Sequence, residues 1–296
     1  MASILVTGTS KGIGMATALV LGRAGHTVYG TMRNPRSAPE LAQTAEREGL
    51  PIYVSVMDVD SDTSVTEAIG AIEKTNGPLD VLVNNAGIER QGSIEELSLS
   101  NSRAVMETNY FGALRCIQAV LPQMRARQSG CIINITSVAG RISASPLGSY
   151  AASKFALEGL SEALAQEVKP FNIRVAIVQP GVIDTAMSRR LTEEPSASHY
   201  PHTRRMTGLF TAVLQNPASP LLVGQKIRDI IESGTWQLRH PAGPDAELFL
   251  QWRASMTDEQ WVDWGAANDD TWYRSVERDF SLNARRARVH VQGTGS

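Results

Sequence analysis

The stretch "VTGTSKGIG" (6–14) decides how this chain is read. The run before it, "SILVT" (3–7), is short, apolar and β-branched, and the run after it, "GIGMATALVLGRAG" (12–25), has helical composition. Between them lie Gly8, Gly12 and Gly14. A glycine cluster between a strand and a helix lets the backbone approach a pyrophosphate, which then rests on the helix N-terminus. The spacing G-x-x-x-G-x-G differs from G-x-G-x-x-G, but the physical demand is the same. The alternative is a tight turn that happens to be rich in glycine. Its position at the first strand-to-helix turn of an alternating chain argues against that alternative.

The alternation continues outward. Further strand-like runs are "HTVYGT" (26–31), "PIYVSV" (51–56), "LDVLVN" (79–84), "CIINI" (131–135) and "IRVAIV" (173–178). Each is apolar on both faces and bounded by Gly, Pro, Asn or Asp, as strands buried on both sides are. Helical stretches such as "YAASKFALEGLSEALAQEV" (150–168) lie between them. With "TWQLR" (235–239) as a last strand, the pattern predicts an α/β fold. It is a doubly wound, Rossmann-type parallel sheet of seven strands with helices on both faces. The expected organisation is a dinucleotide-binding catalytic domain over 1–240 and a helical C-terminal extension over 241–296, packed on the same domain. No internal repeat is visible.

Composition narrows the function. Of 296 residues, 42% are hydrophobic and 20% charged, enough apolar material for a large core. A net charge of −2 offers no whole-chain field for nucleic acid or anionic lipid. No apolar run approaches the roughly 20 residues that span a bilayer. Cys116 and Cys131 have no CxxC or zinc spacing, so the chain reads as cytoplasmic with reduced thiols. Met1-Ala2-Ser3 leads directly into a strand, leaving no room for a signal peptide.

After residue 185 the composition changes. Residues 186–220 are rich in Ser, Thr, Pro and Arg around an apolar island, "GLFTAVL" (208–214), which suits a mobile loop with a small helix over a site. The island closes over an apolar substrate or anchors the loop. His199 and His202 lack further ligands at metal spacing, so no metal is expected. Arg189, Arg190, Arg204 and Arg205 read as a solvated loop before they read as contacts to an acidic substrate. Residues 221–233 look helical. Trp236, Trp252, Trp261, Trp264 and Trp272 all fall in the last part of the chain, where packing or subunit contact is a better reading than a substrate wall. Thr257 and Gln260 have capping-box spacing, predicting a helix start. "NARRARV" (283–289) reads as frayed, and the closing "GTGS" (293–296) carries no reading.

The chemistry is concentrated in "SYAASKF" (149–155), where Tyr150 and Lys154 share one helix face. A free phenol titrates near pH 10, too high for a base at neutral pH, and a nearby ammonium favours the phenolate. The bland alternative is a half-buried helix aromatic beside a solvated lysine. Ser137 at the end of a strand shifts the balance toward chemistry.

"TGTSKGIG" (7–14), "NNAG" (84–87), Asn109, Ser137, Tyr150 with Lys154, and "PGVIDT" (180–185) occur in this order. Together they resemble the short-chain dehydrogenase/reductase family over residues 3 to about 240. The wording of "VYGTMRNP" (28–35) and "YAASKFALEGL" (150–160) is most similar to the branch holding hydroxysteroid and retinol dehydrogenases. The resemblance implies hydride transfer between a nicotinamide and a carbinol or carbonyl carbon. Tyr150 would exchange the oxygen-bound proton, Ser137 would hydrogen-bond the reacting oxygen, and Lys154 would lower the phenol pKa and hold the nicotinamide ribose. Asn109 would keep a helix bent around a water leading to Lys154. The cofactor set it implies is Gly8, Ser10, Lys11, Gly12, Ile13 and Gly14 at the glycine turn. Asp58, with Val59 beside it, would reach the adenine amino group; as an alternative, Asp58 caps a helix. Asn84, Asn85, Ala86 and Gly87 match the turn that stabilises the sheet beside the adenosine ribose. Pro180, Gly181, Ile183 and Thr185 match the segment holding the nicotinamide carboxamide. Where NAD-binding chains carry an acid after the second strand, this one has Thr31, Met32 and Arg33, which points to NADP(H). The expected partners are a small apolar alcohol or ketone and further copies of the chain. Apolar Val105, Leu114, Ile117 and Leu121 exceed what one helix face needs. A non-catalytic dinucleotide sensor is the competing class. The complete set of Asn109, Ser137, Tyr150 and Lys154 counts against it.

Overall fold

The structure is a computed structural model and describes residues 1–193 and 197–287. Its centre is a parallel sheet of strands β1 (Ser3–Thr7), β2 (Thr27–Met32), β3 (Ile52–Val56), β4 (Val81–Asn84), β5 (Gly130–Ile135), β6 (Ile173–Pro180) and β7 (Arg239–Ala242). Their order is β3-β2-β1-β4-β5-β6-β7. The chain winds outward from β1 through β2 to β3, returns to place β4 beside β1, and winds out the other way. A crevice opens above the carboxyl ends of β1 and β4, where the winding reverses.

Successive residues of each strand enter different cores, so the central strands read as unbroken apolar runs. Ile4, Val83 and Ile133 face one core with Ala18, Leu21, Val223 and Ile227, from helices α1 (Gly12–Arg23) and, later in the chain, Pro220–Ser233. The helix α2 (Glu40–Glu48) adds Leu41 and Ala45 to that side. Leu5, Leu82 and Ile132 face the other core. They meet Ile69 of α3 (Asp62–Asn76), Ile117 and Val120 of a helix over Gly112–Arg127, and Leu164 of a helix over Gly148–Val168. In chain order those last two are α5 and α6, after α4 (Leu99–Met106); a π-helical turn, Glu107–Phe111, joins α4 to α5. The expected doubly wound parallel sheet of seven strands is therefore present.

The last strand differs from expectation. It begins at Arg239, where the apolar run 235–239 ends, and reads "RHPA". It pairs only with β6, so Pro241 sits on a sheet edge, where its missing N–H is tolerated. Edge position also frees it from the apolar composition that marks the inner strands.

Residues 186–220 hold more helix than expected: α7 (Ala186–Arg190) and α8 (His202–Val213), followed by α9 (Pro220–Ser233). α8 starts well before the apolar island because its polar first turns are packed. Arg205 is buried and donates from Nε to Asp269 Oδ1 (2.9 Å), from Nη1 to Gly265 O (3.1 Å) and from Nη2 to Ala267 O (2.7 Å). Arg189 is paired with Asp184. Arg205 is thus not a solvated residue, whereas Arg189 remains exposed in its surface ion pair, as expected of a solvated side chain.

Beyond β7 lie α10 (Ala246–Ala254), α11 (Asp258–Ala266) and α12 (Asp269–Phe280). The capping box at the start of α11 is formed: Gln260 N donates to Thr257 Oγ1 and Thr257 N to Gln260 Oε1. Trp272, Tyr273 and Val276 make a small separate core with Ala212 of α8, and Ala284 and Ala287 are buried in it. "NARRARV" is thus packed as far as Ala287, not frayed; Arg288, Val289 and "GTGS" lie outside the described residues. No helix among the described residues is long and apolar enough to cross a membrane.

Candidate active site

A single cavity of about 550 Å³ runs above the carboxyl ends of the strands. At one end it is lined by Arg33, Asp58 and Val59, in the middle by the glycine turn, Asn85, Ala86 and Gly87, and at the other end by Ser137, Tyr150 and Lys154.

The glycine turn is shaped by contact with the turn after β4. Gly8 has φ +70°, and a Cβ there would lie 2.8 Å from Ala86 Cα. A Cβ on Gly14 would overlap the Gly8 carbonyl and the Asn85 amide. Thr7 Oγ1 accepts from Asn85 N (3.0 Å) and Ala86 N (2.9 Å), and Asn85 Nδ2 donates to Thr7 O (2.8 Å) and Gly8 O (3.0 Å). The two turns form one stitched floor. Asn84 points elsewhere, donating to Asn134 Oδ1 inside the sheet.

α1 begins on this floor with no side-chain cap and no acid in its first turn. Its first N–H groups are open to an anion, and Ser10, Lys11, Gly12 and Ile13 line the same space. Arg33 leaves the end of β2 exposed, with no ion-pair partner among the described residues. Asp58 does not cap α3, because Ser61 does; its Oδ1 accepts from Asp60 N, and its side chain faces the cavity. Val59 fills the space left by Gly112.

At the far end, Lys154 is buried and makes one hydrogen bond, Nζ to Ile135 O at 2.9 Å. Two of its three donors remain available toward the cavity. Nζ lies 5.7 Å from the centre of the Tyr150 ring. Ser137 Oγ accepts from Ala139 N (3.0 Å) and lies near Pro180 O. Asn109 sits in the π-helical turn, donates from Nδ2 to Ile88 O (2.9 Å) and Ser153 Oγ (2.9 Å), and accepts at Oδ1 from Ile88 N (2.8 Å). It therefore anchors the chain leaving the "NNAG" turn to α6.

The expected pKa effect differs. Burial pushes the Tyr150 phenol up to about 12, the Ser137 hydroxyl works against this, and the charge of Glu89 adds to the rise. Burial pulls the Lys154 ammonium down to about 8. Protein groups alone do not lower the phenol. The ammonium is spent on a carbonyl and stands off the ring, and desolvation dominates.

Pro180, Gly181, Ile183 and Thr185 line the cavity beside Tyr150. They are braced from the extension: Gly181 N donates to Ala242 O (3.0 Å) and Val182 N to Asp245 Oδ2 (2.9 Å). Thr185 caps α7. Sequence reasoning missed Asp245, which no local pattern marks. It also missed Glu89, whose only signal was an acid two places after "NNAG". The cavity wall beyond Tyr150 has a large apolar part, with Met206, Leu209 and Phe210 from α8 and Phe249, Trp252, Trp261, Trp264 and Phe280 from the extension; the charged side chains Glu89, Arg90 and Arg190 also line the cavity. Three tryptophans thus form a wall, contrary to the reading that favoured packing, while Trp272 does pack.

The floor of touching turns, the open helix end and the spare ammonium donors together fit a nicotinamide dinucleotide. Comparison with known proteins agrees. The chain is 43% identical over 185 residues to a 3-ketodihydrosphingosine reductase of Bacteroides thetaiotaomicron, covering 62% of this chain and 65% of that protein. It is 39% identical over 235 residues to retinol dehydrogenase 8 of Bos taurus, covering 77% of this chain and 75% of the relative. A crystal structure of a short-chain dehydrogenase from Streptomyces avermitilis superposes with a TM-score of 0.76 at 33% identity, covering 90% of this chain and 96% of that one. The family model described as short chain dehydrogenase matches residues 2–196, and the chain belongs to that family.

Proposed function

We propose that this chain is an NADP(H)-dependent oxidoreductase that interconverts a secondary alcohol and a ketone, or a primary alcohol and an aldehyde. The observation that carries the reading is one cavity with Tyr150, Ser137 and Lys154 at one end and, at the other, Arg33 with no ion-pair partner among the described residues. A bound nicotinamide supplies or accepts the hydride. Tyr150 moves the proton at the substrate oxygen, giving it in reduction and taking it in oxidation. Ser137 Oγ donates to the same oxygen as charge develops on it. Lys154 holds ribose hydroxyls with its spare donors, and the braced segment 180–185 orients the carboxamide. Asn109 fixes α6 relative to the "NNAG" turn. Arg33, with Lys11 and Ser10, reads a 2′-phosphate. The aromatic wall favours an apolar substrate, as do the names of two relatives, a retinol dehydrogenase and a ketodihydrosphingosine reductase. NADPH consumption across ketones and aldehydes, and NADP⁺ reduction across the matching alcohols, tests this. No turnover in either direction across apolar members of the panel overturns it.

Residues 1–240 act on this reading as the catalytic domain, with 241–296 as an extension that completes the substrate wall. The protein is cytoplasmic, in keeping with two unpaired, buried cysteines; recovery with membranes on fractionation would count against this. It also works as a homo-oligomer. Leu99, Phe111 and Phe155 are exposed on or beside the helices that hold Asn109 and Tyr150, an apolar face suited to a second copy. Light scattering is expected to give a multiple of 32.0 kDa, and a monomer mass would remove the assignment.

A further inference from the structure

Two buried glutamates lie near the active site, and they differ in one respect. Glu158 is 4% exposed and accepts from Thr136 Oγ1 (2.9 Å), Gln179 Nε2 (3.0 Å) and Arg239 Nε (2.8 Å). It is a structural carboxylate with its donors in place. Glu89 is 6% exposed, lines the cavity, and accepts no hydrogen bond at its carboxylate among the described residues; its Oε1 is shut off from solvent without a partner.

Glu89 is also held firmly. The residue before it, Ile88, is bonded through both its N–H and its carbonyl to Asn109, and the Glu89 main-chain oxygen accepts from Arg90 Nη1 (2.9 Å). The main chain that carries the carboxylate is thereby fixed at the cavity. It is close enough to Tyr150 for its charge to raise the phenol. Burial pushes the Glu89 carboxyl itself up to about 6, with Arg190 and Arg90 pulling it down from a distance. At neutral pH it is mostly ionised, and a buried carboxylate without donors is costly. Arg90 and Arg190 line the same cavity and act on its charge, but neither donates to the Glu89 carboxylate, and the rest of the wall beyond Tyr150 named above is apolar, which leaves a place for a donor on what binds there.

We propose that Glu89 determines substrate specificity by accepting a hydrogen bond from an O–H or N–H donor that the substrate carries next to its reacting carbon. The preferred substrates are then apolar ketones or alcohols with a neighbouring hydroxyl or ammonium group. This rests on the alcohol–ketone reading above.

The test uses hexyl methyl ketone, hexyl hydroxymethyl ketone and hexyl aminomethyl ketone. Affinity is read from quenching of tryptophan fluorescence, since Trp252, Trp261 and Trp264 line the cavity and no turnover is needed. Turnover with NADPH is measured in parallel. The two donor-bearing ketones are expected to bind about 10- to 100-fold more tightly than the methyl ketone, the range of a hydrogen bond to a charged group. Glu89→Leu should abolish that preference and leave methyl ketone binding equal or tighter. Glu89→Gln, which keeps an acceptor and loses the charge, should retain part of the hydroxymethyl preference and lose more of the aminomethyl one. Equal affinity for all three ketones in the wild type, quenching by none, or a Glu89→Leu variant that weakens all three alike overturns the proposal. Turnover without preference overturns the role of Glu89 alone. Preference in binding without turnover of any ketone supports Glu89 and counts against the oxidoreductase reading.

Discussion

Tyr150→Phe is expected to lower ketone reduction by at least about 10²-fold while leaving NADPH affinity unchanged. The substitution removes one oxygen. The ring keeps its place on α6, and Lys154 keeps its own hydrogen bond to Ile135 O, so the ammonium end of the site is undisturbed. What disappears is the group that, on the proposed reading, moves a proton at the substrate oxygen. With the phenol held up toward about 12 by burial, Tyr150 is protonated at neutral pH, which suits it to donate in the reducing direction. Ser137 still hydrogen-bonds the carbonyl in the variant but has no spare acidity to replace the phenol. Steady-state reduction together with a cofactor titration checks the prediction. Turnover near wild type would end the assignment of Tyr150 as acid and base.

Arg33→Ala is expected to weaken NADP(H) by about 10- to 100-fold, since a hydrogen bond to a charged group contributes roughly 1.5–3 kcal/mol. NAD(H) affinity should stay the same, because its unphosphorylated ribose offers no charge for a guanidinium to read. The site supplies the reason for the contrast. Arg33 has no ion-pair partner among the described residues and lines the cavity, so it is free to fork onto a phosphate. Asp60 feels its charge but is held by Thr108. Titration of the variant with both cofactors decides the matter: equal losses, or a wild-type preference for NAD(H), refute the assignment.

The inner sheet was legible because burial on two faces leaves a composition that little else produces. Ile4 and Leu5 enter opposite cores, yet both must be apolar. The glycine turn was legible for a related reason: Gly8 and Gly14 stand where no Cβ fits. Legibility failed where a residue's role depends on a distant partner. Arg205 looks like a loop arginine until Asp269 and the carbonyls of Gly265 and Ala267 are placed around it. β7 lacks the apolar signature because only β6 pairs with it. The tryptophan wall was invisible for want of any local rule that says which side of a helix meets a cavity formed elsewhere. The Tyr150–Lys154 spacing was read correctly as one helix face, but their titration is governed by desolvation, which spacing does not report.

The clamp around Arg205 bears on how the protein is made. A chain emerging from the ribosome presents its N-terminal part first. Arg205 and the strands of the sheet up to β6 are therefore available before Gly265, Ala267 and Asp269 exist. Until those arrive, the core that Ala212 of α8 shares with Trp272, Tyr273 and Val276 does not exist, and the Arg205 guanidinium has neither its partners nor its cover. The peptide at Val182 likewise waits for its acceptor on Asp245, which comes 63 residues later in the chain. A chain ending at β7 would carry Tyr150 and Lys154 on α6 but lack both the Asp245 brace on Val182 and the tryptophan wall of the cavity.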